Sequence, residues 1–301
     1  MPIVLGPNQY GKAEIRLVRI SRETPRHEIR DISVSTALRG DFAAAHLAGD
    51  QAQVLPTDSQ KNFCYAYARQ HGVGQLEDYA LGVARRFADE IPPVAGARVQ
   101  AEEYAWERIT AGGTEHPHAW TRRGAEVRTA VATVEGRGPG QRSWVVSGLR
   151  DLVLLKSTGS EFWGFLKDEY TTLPETRDRV LATSLTARWR CPEAGVPWDA
   201  VYADVRRLLV ERFAEVHSFA LQQTLWEMGK AVLAAHPEIA EIRLSAPNRH
   251  HFLVDLAPFG LRNEGEVFHA DDRPYGLIEA TAVRDDAPEP GQAWGTIPGF
   301  G

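Results

Sequence analysis

The stretch DISVSTAL, residues 31–38, alternates without a break, with Ile32, Val34, Thr36 and Leu38 on one side and Asp31, Ser33, Ser35 and Ala37 on the other. A side-chain period of two is that of a strand with one buried face. The run before it, AEIRLVRI at 13–20, has the same character, with Ile15 and Leu17 in phase and a slip at Val18. Only the polar SRETPRH lies between, so the two runs read as an antiparallel pair.

The pattern then changes period. TDSQKNFCYAYARQ opens with capping residues, and after the turn HGVGQ the residues Leu76, Ala80, Val83 and Phe87 recur at helical spacing. Two strand-like runs follow, GARVQAEEYAWERI and AEVRTAVATVE, separated by TAGGTEHPH. The order is strand, strand, helix, helix, strand, strand, and it occurs again. SWVVSGLRDLVLLK and RVLATSLTARWR read as strands, and Trp198, Val201, Tyr202, Val205, Leu208, Leu209 and Phe213 form a wide apolar helical stripe. Ser218 is placed to cap a further helix through Leu221, Leu225, Met228 and Val232, stopping before Pro237. IAEIRLSA and YGLIEATAV complete the second unit, with a turn at Pro247-Asn248 and HFLVDL as an additional strand. Two copies of one supersecondary unit predict an α+β fold of tandem domains, 1–137 and 138–301, joined near GRGPGQ. In each, one face of an antiparallel sheet carries two helices. The other face needs cover, and self-association supplies it most economically.

Composition narrows the function. The 301 residues carry a net charge of −6 with acids and bases interspersed, and no basic block of a nucleic-acid binder occurs. Cys64 and Cys191 are the only cysteines and lie far apart, so neither a disulfide framework nor a thiolate zinc site is expected. MPIVLGPNQYGK lacks the features of a secretory signal, IPGFG is not a peroxisomal address, and no segment has the roughly 20 apolar residues that cross a bilayer. A soluble cytoplasmic protein is the expectation.

Four stretches stand out from this scaffold. Lys12, in YGK, sits at the entrance to the first strand and reads as a surface lysine or a base. Thr57 and Asp58, in LPTDSQKN, open a helix, where they read as N-capping residues or as part of an anion site. LKSTGSEFWGFLKDEYTTLPETRDRVL is a long insertion between strands. Its Phe162 reads as core packing or as a platform for a planar ligand, and its Arg179 as a salt-bridge partner or a clamp. In SAPNRHHFLVDL the adjacent His250 and His251 point to opposite faces of a strand, which disfavours a shared metal. No phosphate loop, GxSxG elbow or HExxH motif is present.

Taken in order, NQYGKAEIRL, LPTDSQKN, EVRTA, LKSTGSEFWGFLKDEYTTL, ETRDRVLAT, FALQQTLWEMG, PNRHHFLVDL and PYGLIEAT resemble the urate oxidase (uricase) family over nearly the whole chain. The resemblance implies tandem T-fold domains and a homotetramer whose sheets close into barrels around a tunnel. It implies oxidation of urate by O2 and water to 5-hydroxyisourate and hydrogen peroxide, with no metal and no organic cofactor. Matched residue by residue, Phe162 stacks on the purine, Arg179 and Gln222 grip its opposite edges, and Leu221 contacts it through the backbone. Thr57 and Asp58 reach it from a neighbouring subunit. Asn248, with Thr57, faces the position of O2 or water, and Lys12, Thr57 and His250 form a proton relay. His251 is expected to be structural, and Arg249 stands where lysine is common. The alternatives are a metal-dependent T-fold enzyme of the cyclohydrolase or synthase type acting on pterins or purines, and a catalytically silent purine-binding homologue.

Overall fold

A computed structural model describes residues 2–295. The chain divides into two compact units that are not simply its two halves. Unit 1 comprises residues 2–148, 190–199 and 288–295, and unit 2 comprises 149–189 and 200–287. The sequence repeats at 1–137 and 138–301 are a symmetry of pattern and a different division of the chain.

In unit 1, β1 (Ile15–Ser21), β2 (Glu28–Gly40), β3 (Val94–Ala111) and β4 (Thr114–Glu135) are hydrogen-bonded in sequence order, each antiparallel to the next. Ile15 lies opposite Val34 and Leu17 opposite Ile32 in one buried layer, but the expected single buried face of β2 is not what forms, since Asp31, Ser33 and Ala37 on its other face are buried as well. Val18, the apolar residue out of phase in the sequence, sits on the exposed side of a register that runs unbroken from Ile15 to Ser21. Helix α1 (Ala43–Ala48) was not foreseen; it buries nothing, so no apolar period marks it. Helices α2 (Thr57–His71) and α3 (Leu76–Glu90) follow, and α3 lays Leu76, Ala80, Val83 and Phe87 against β3 and β4. Cys64 and Cys191 are free and buried, and burial pushes the Cys64 thiol up to about 12.

TAGGTEHPH is not the linker that its composition suggests. The strands run into it from both sides and leave a two-residue turn at Gly112 and Gly113, both at positive φ (60° and 80°), with Ala111 paired to Thr114. Two successive left-handed residues match the twist of a tight hairpin, and glycine adopts them without penalty. The start of β4, residues 114–124, is largely exposed, so no apolar alternation marked it as strand.

Residues 190–199 return to unit 1 and are held by polar bonds. The Trp198 indole N–H donates to Asp78 at 2.9 Å, and the Asp199 N–H donates to Gln75 Oε1 at 3.0 Å. Asp199 also accepts from Arg30 and Arg128, and Arg128 donates to Glu77 at 2.7 Å. Glu77 is 0% exposed.

Unit 2 takes the C-terminal parts of β5 (Arg142–Lys156) and α4 (Trp198–Glu215), most of β6 (Leu181–Cys191), and all of α5 (Leu221–Ala235), β7 (Glu241–Leu253) and β8 (Phe268–Val283). Leu225, Met228 and Val232 bury α5 against the antiparallel pair β7–β8. HFLVDL is not an additional strand, and Pro247-Asn248 is not a turn. Pro247, Asn248 and the first three residues of HFLVDL belong to β7, where Pro247 faces Leu277 and Leu253 faces Phe268, and residues 254–256 lie beyond the strand.

A buried carboxylate is tolerated when a guanidinium meets it, and stranding one is costly. Arg128→Met should therefore lower unfolding stability by about 3 to 5 kcal/mol, read from denaturant midpoints. Glu77→Leu combined with Arg128→Met should recover most of that loss. Equal losses in the single and double variants would mean that Arg128 acts through Asp199 and not through Glu77.

Candidate active site

In unit 2 the segment 157–180, between β5 and β6, is irregular yet closed on itself by backbone bonds. Phe162 and Thr176 exchange two hydrogen bonds, at 2.8 and 2.9 Å, and the Arg179 N–H donates to the Ser160 carbonyl at 2.9 Å. Ser160 also runs beside Ser218: Glu161 N–H donates to Ser218 O at 2.8 Å, and Ser218 N–H donates to Gly159 O at 2.9 Å. This small framework presents Phe162 and Arg179 together. The guanidinium lies 5.3 Å from the centre of the Phe162 ring, whose plane stacks on Phe165 at 4.4 Å and 17°. Arg179 Nε donates to the hydroxyl of the fully buried Ser160 at 3.3 Å.

The electrostatics of Arg179 are unusual. Burial alone pulls its pKa below the ordinary arginine value, and among the described residues no carboxylate pairs with it. A guanidinium taken partly out of water without a counter-charge is unfavourable unless something anionic meets it. Beside an aromatic face, that partner would be flat and negatively charged.

The start of α5 belongs to the same framework. Ser218 does not cap it. The N-cap position falls on Ala220, in an extended conformation and with no side-chain cap, while the buried Ser218 hydroxyl accepts from Thr224 at 2.8 Å. Leu221 and Gln222 are thus the first helical residues, where backbone N–H groups have no intrahelical acceptor. Leu221 is buried at 3% and Gln222 is exposed. Asn248 and His250 lie on β7 at a register shift, with Asn248 opposite Gly276 and His250 opposite Asp271. The residues between these two partners bulge from β8, a device that re-aims side chains. His250 stacks on Phe252, two residues on, at 5.6 Å and 20°, while His251 contacts the Arg249 carbonyl at 3.2 Å.

In unit 1, Thr57 is not an N-cap. Pro56 takes that position, so Thr57 and Asp58 are already inside α2. The Thr57 hydroxyl has no hydrogen-bond partner among the described residues. Asp58 is exposed and accepts from Lys61 and Asn62. Its carboxyl lies below the usual range, chiefly through the Lys61 hydrogen bond, with the Lys12 charge a smaller contributor. Lys12 is half-buried, and its main chain pairs with Thr36 in both directions, at 3.1 and 2.9 Å.

The structure therefore groups the sequence-derived residues by unit. Lys12, Thr57 and Asp58 fall in unit 1, while Phe162, Arg179, Leu221, Gln222, Asn248 and His250 fall in unit 2. Ser160 and Gln60 were not singled out from sequence, and Ser218 and Thr36 were read only as a helix cap and as part of a strand face. No local signal separates a buried polar brace from a surface serine or glutamine.

These features define a class of protein, an α+β chain of sheet-and-helix units in which an aromatic ring lies beside a half-buried guanidinium that no carboxylate among the described residues pairs with. The sequence pattern of the uricase family matches residues 8–133 and 145–279. Uricase from Arthrobacter globiformis is 53% identical over 298 residues, covering 99% of this chain and 96% of that protein. Uricase from Dictyostelium discoideum is 34% identical over 280 residues, covering 92% and 96%. A crystal structure of the Arthrobacter globiformis enzyme superposes with a TM-score of 0.91, covering 96% of this chain and 98% of that one. The chain belongs to the uricase family and has its T-fold architecture.

If Arg179 is a two-pronged clamp, charge alone will not replace it, because a lysine cannot present parallel donors to a planar edge. Arg179→Lys should weaken binding of a purine inhibitor such as 8-azaxanthine about tenfold to hundredfold, as one lost charge-assisted bond of about 1.5 to 3 kcal/mol requires. Unchanged inhibition would remove Arg179 from the clamp.

Proposed function

We propose that this protein oxidises urate with O2 and water to 5-hydroxyisourate and hydrogen peroxide, using neither a metal nor an organic cofactor. The observation that carries this reading is the half-buried Arg179 guanidinium, without a carboxylate, beside the Phe162 ring. Urate is flat, anionic and rich in amide edges. In this reading Phe162 stacks on the purine, and Arg179 and the Gln222 carboxamide satisfy opposite edges in its plane. The Leu221 backbone adds a contact at the start of α5. The open upper face is left to O2 or water, beside Asn248 and Thr57.

Catalysis then requires little beyond proton management and positioning. Loss of a second proton makes urate electron-rich enough to pass two electrons to O2, which takes two protons to become hydrogen peroxide. Water adds to the oxidised ring to give the 5-hydroxy product. Lys12, Thr57 and His250 move the protons, with the Thr57 hydroxyl as the link and Lys12 as the base. Its freedom from any capping bond suits Thr57 to that role. Preorganised donors around the dianion stabilise the charge that develops.

The relay and the grip come from different parts of the sequence. The reading extends to a homotetramer in which Thr57 and Asp58 of one chain reach the urate held by Phe162, Arg179 and Gln222 of a neighbour. Self-association also covers the sheet faces that carry no helix. The protein is read as cytoplasmic, and none of its described helices is long and apolar enough to cross a membrane. The metal-dependent alternative lacks a ligand set to rest on, since among the described residues no three His, Cys, Asp or Glu side chains gather to hold an ion.

Chelator-treated protein should consume urate and O2 in equal amounts and release an equal amount of peroxide, followed by urate absorbance, an oxygen electrode and a peroxide assay. Activity lost on chelation and restored by one divalent ion would contradict the metal-free mechanism. The composite site is tested by hybrids. Thr57→Ala and Arg179→Ala homotetramers should be nearly inactive, whereas co-expressed, differentially tagged mixtures should recover a measurable fraction of activity. Mixed tetramers as inactive as their parents would place each site within one chain.

A further inference from the structure

Thr57 opens α2, and Lys12 lies on a segment remote from it in sequence, so something must hold the two in register. Residues 10–12 form a short antiparallel bridge with 36–38. Tyr10 N–H donates to Leu38 O at 3.2 Å, Leu38 N–H donates to Tyr10 O at 2.7 Å, and Thr36 N–H donates to Lys12 O at 2.9 Å. The bridge is unusually close at its centre, where a Cβ on Gly11 would lie 1.7 Å from the Thr36 carbonyl oxygen. Only glycine permits that approach.

The Thr36 side chain then connects this bridge to α2. Its hydroxyl accepts the Lys12 N–H at 3.1 Å and donates to Gln60 Oε1 at 2.7 Å. The other acceptor in reach, the Lys12 carbonyl at 3.5 Å, is too far to compete for the single proton. Gln60 stands one turn after Thr57, and its Nε2 faces the Leu55 carbonyl at 3.4 Å. Flipping the carboxamide would set two oxygens face to face at Leu55 and deprive the hydroxyl of its acceptor, so the orientation is fixed by the network. A second tether runs parallel to the first: Leu55 N–H donates to the Tyr10 hydroxyl at 2.9 Å. Thr36 and Gln60 are each 0% exposed. Buried polar groups are retained where they are bonded, and this pair has no route to a substrate.

We propose that the buried Thr36–Gln60 pair is a positioning device that fixes the main chain of Lys12 against the start of α2, and so sets the reach from Lys12 to Thr57. The proposal rests on reading Lys12 and Thr57 as members of the proton relay. Proton transfer needs hydrogen-bond reach, and a displacement of about 1 Å costs roughly a hundredfold in rate. What the Thr36–Gln60 pair holds is the Lys12 main chain, and Lys12 is not among the residues read as gripping urate, so the expected effect falls on turnover and not on binding.

The test is steady-state urate oxidation with inhibitor binding in the assembled enzyme, using Thr36→Val, Thr36→Ser, Gln60→Leu, Lys12→Met and the Thr36→Val, Lys12→Met double variant. Thr36→Val keeps the shape and removes the hydroxyl; Gln60→Leu cuts the same link from the helix side with little change of volume. Each is expected to lower kcat about tenfold to hundredfold, with 8-azaxanthine affinity within about twofold of wild type. Thr36→Ser should recover kcat to within about threefold, because it restores both bonds. The double variant should be little worse than Lys12→Met alone. Wild-type kcat in folded Thr36→Val and Gln60→Leu would overturn the proposal, as would equal losses of kcat and inhibitor affinity, failure of Thr36→Ser to rescue, or multiplied losses in the double variant. Wild-type turnover in Lys12→Met would instead overturn the relay itself. A Lys12→Met loss with an unaffected Thr36→Val would leave the relay standing and remove only the brace.

Discussion

A guanidinium partly withdrawn from water without a carboxylate is the constraint around which the 157–180 segment is organised. Arg179 is held at both ends, through its backbone N–H and its Nε, by Ser160, and it is laid beside Phe162. Both serines of the supporting framework, Ser160 and Ser218, are fully buried and hydrogen-bonded, so the framework is rigid where it meets the guanidinium. An internal acid would have made the arginine comfortable and silent. Among the described residues no acid does so, which leaves a partly desolvated positive charge beside an aromatic plane, and in the proposed reading a flat anion meets it.

Each unit has its own stiff frame. In unit 1 the return of residues 190–199 is fixed by Trp198 and Asp199, and the Glu77–Arg128 pair beneath them is shielded from water. In unit 2, α5 is pinned to β7–β8 by Leu225, Met228 and Val232, and its first residues are left uncapped. Binding groups at the ends of well-packed elements hold their geometry more precisely than groups on free loops. The same logic applies to Thr57, released from capping by Pro56.

Much of this was legible in the sequence. DISVSTAL declared its strand by alternating side-chain character, although the structure buries both faces of it, Asp31, Ser33 and Ala37 as well as Ile32, Val34, Thr36 and Leu38, and Leu76, Ala80, Val83 and Phe87 declared their helix by their spacing. The repeated element order led to the α+β architecture before any coordinates. What failed was local and had physical causes. Thr57 and Ser218 looked like N-caps because their side chains are the usual ones, yet the chain placed Pro56 and Ala220 there. Pro247 looked like a turn, but a strand tolerates proline next to irregular pairing, and β7 changes register just beyond it. The strand on the near side of the Gly112-Gly113 hairpin was read through Ile109, whereas the start of β4 was hidden because it is largely exposed. Thr36 was read as part of an apolar face, and Gln60 was not read at all. Their partnership is tertiary, and a single sequence does not reveal which buried polar residues find each other. The candidate residues themselves were assigned through resemblance to a family, whereas the partial burial of Arg179 without a carboxylate partner among the described residues is a tertiary feature that the sequence does not carry.

The most direct test of the central claim is a crystal structure of the protein with a non-reactive purine bound. The account predicts the purine ring parallel to Phe162 at van der Waals distance, about 3.5 Å, with one polar edge accepting two parallel bonds from Arg179 and the opposite edge against Gln222. A purine bound elsewhere, with Arg179 instead paired to a carboxylate of the protein, would contradict it.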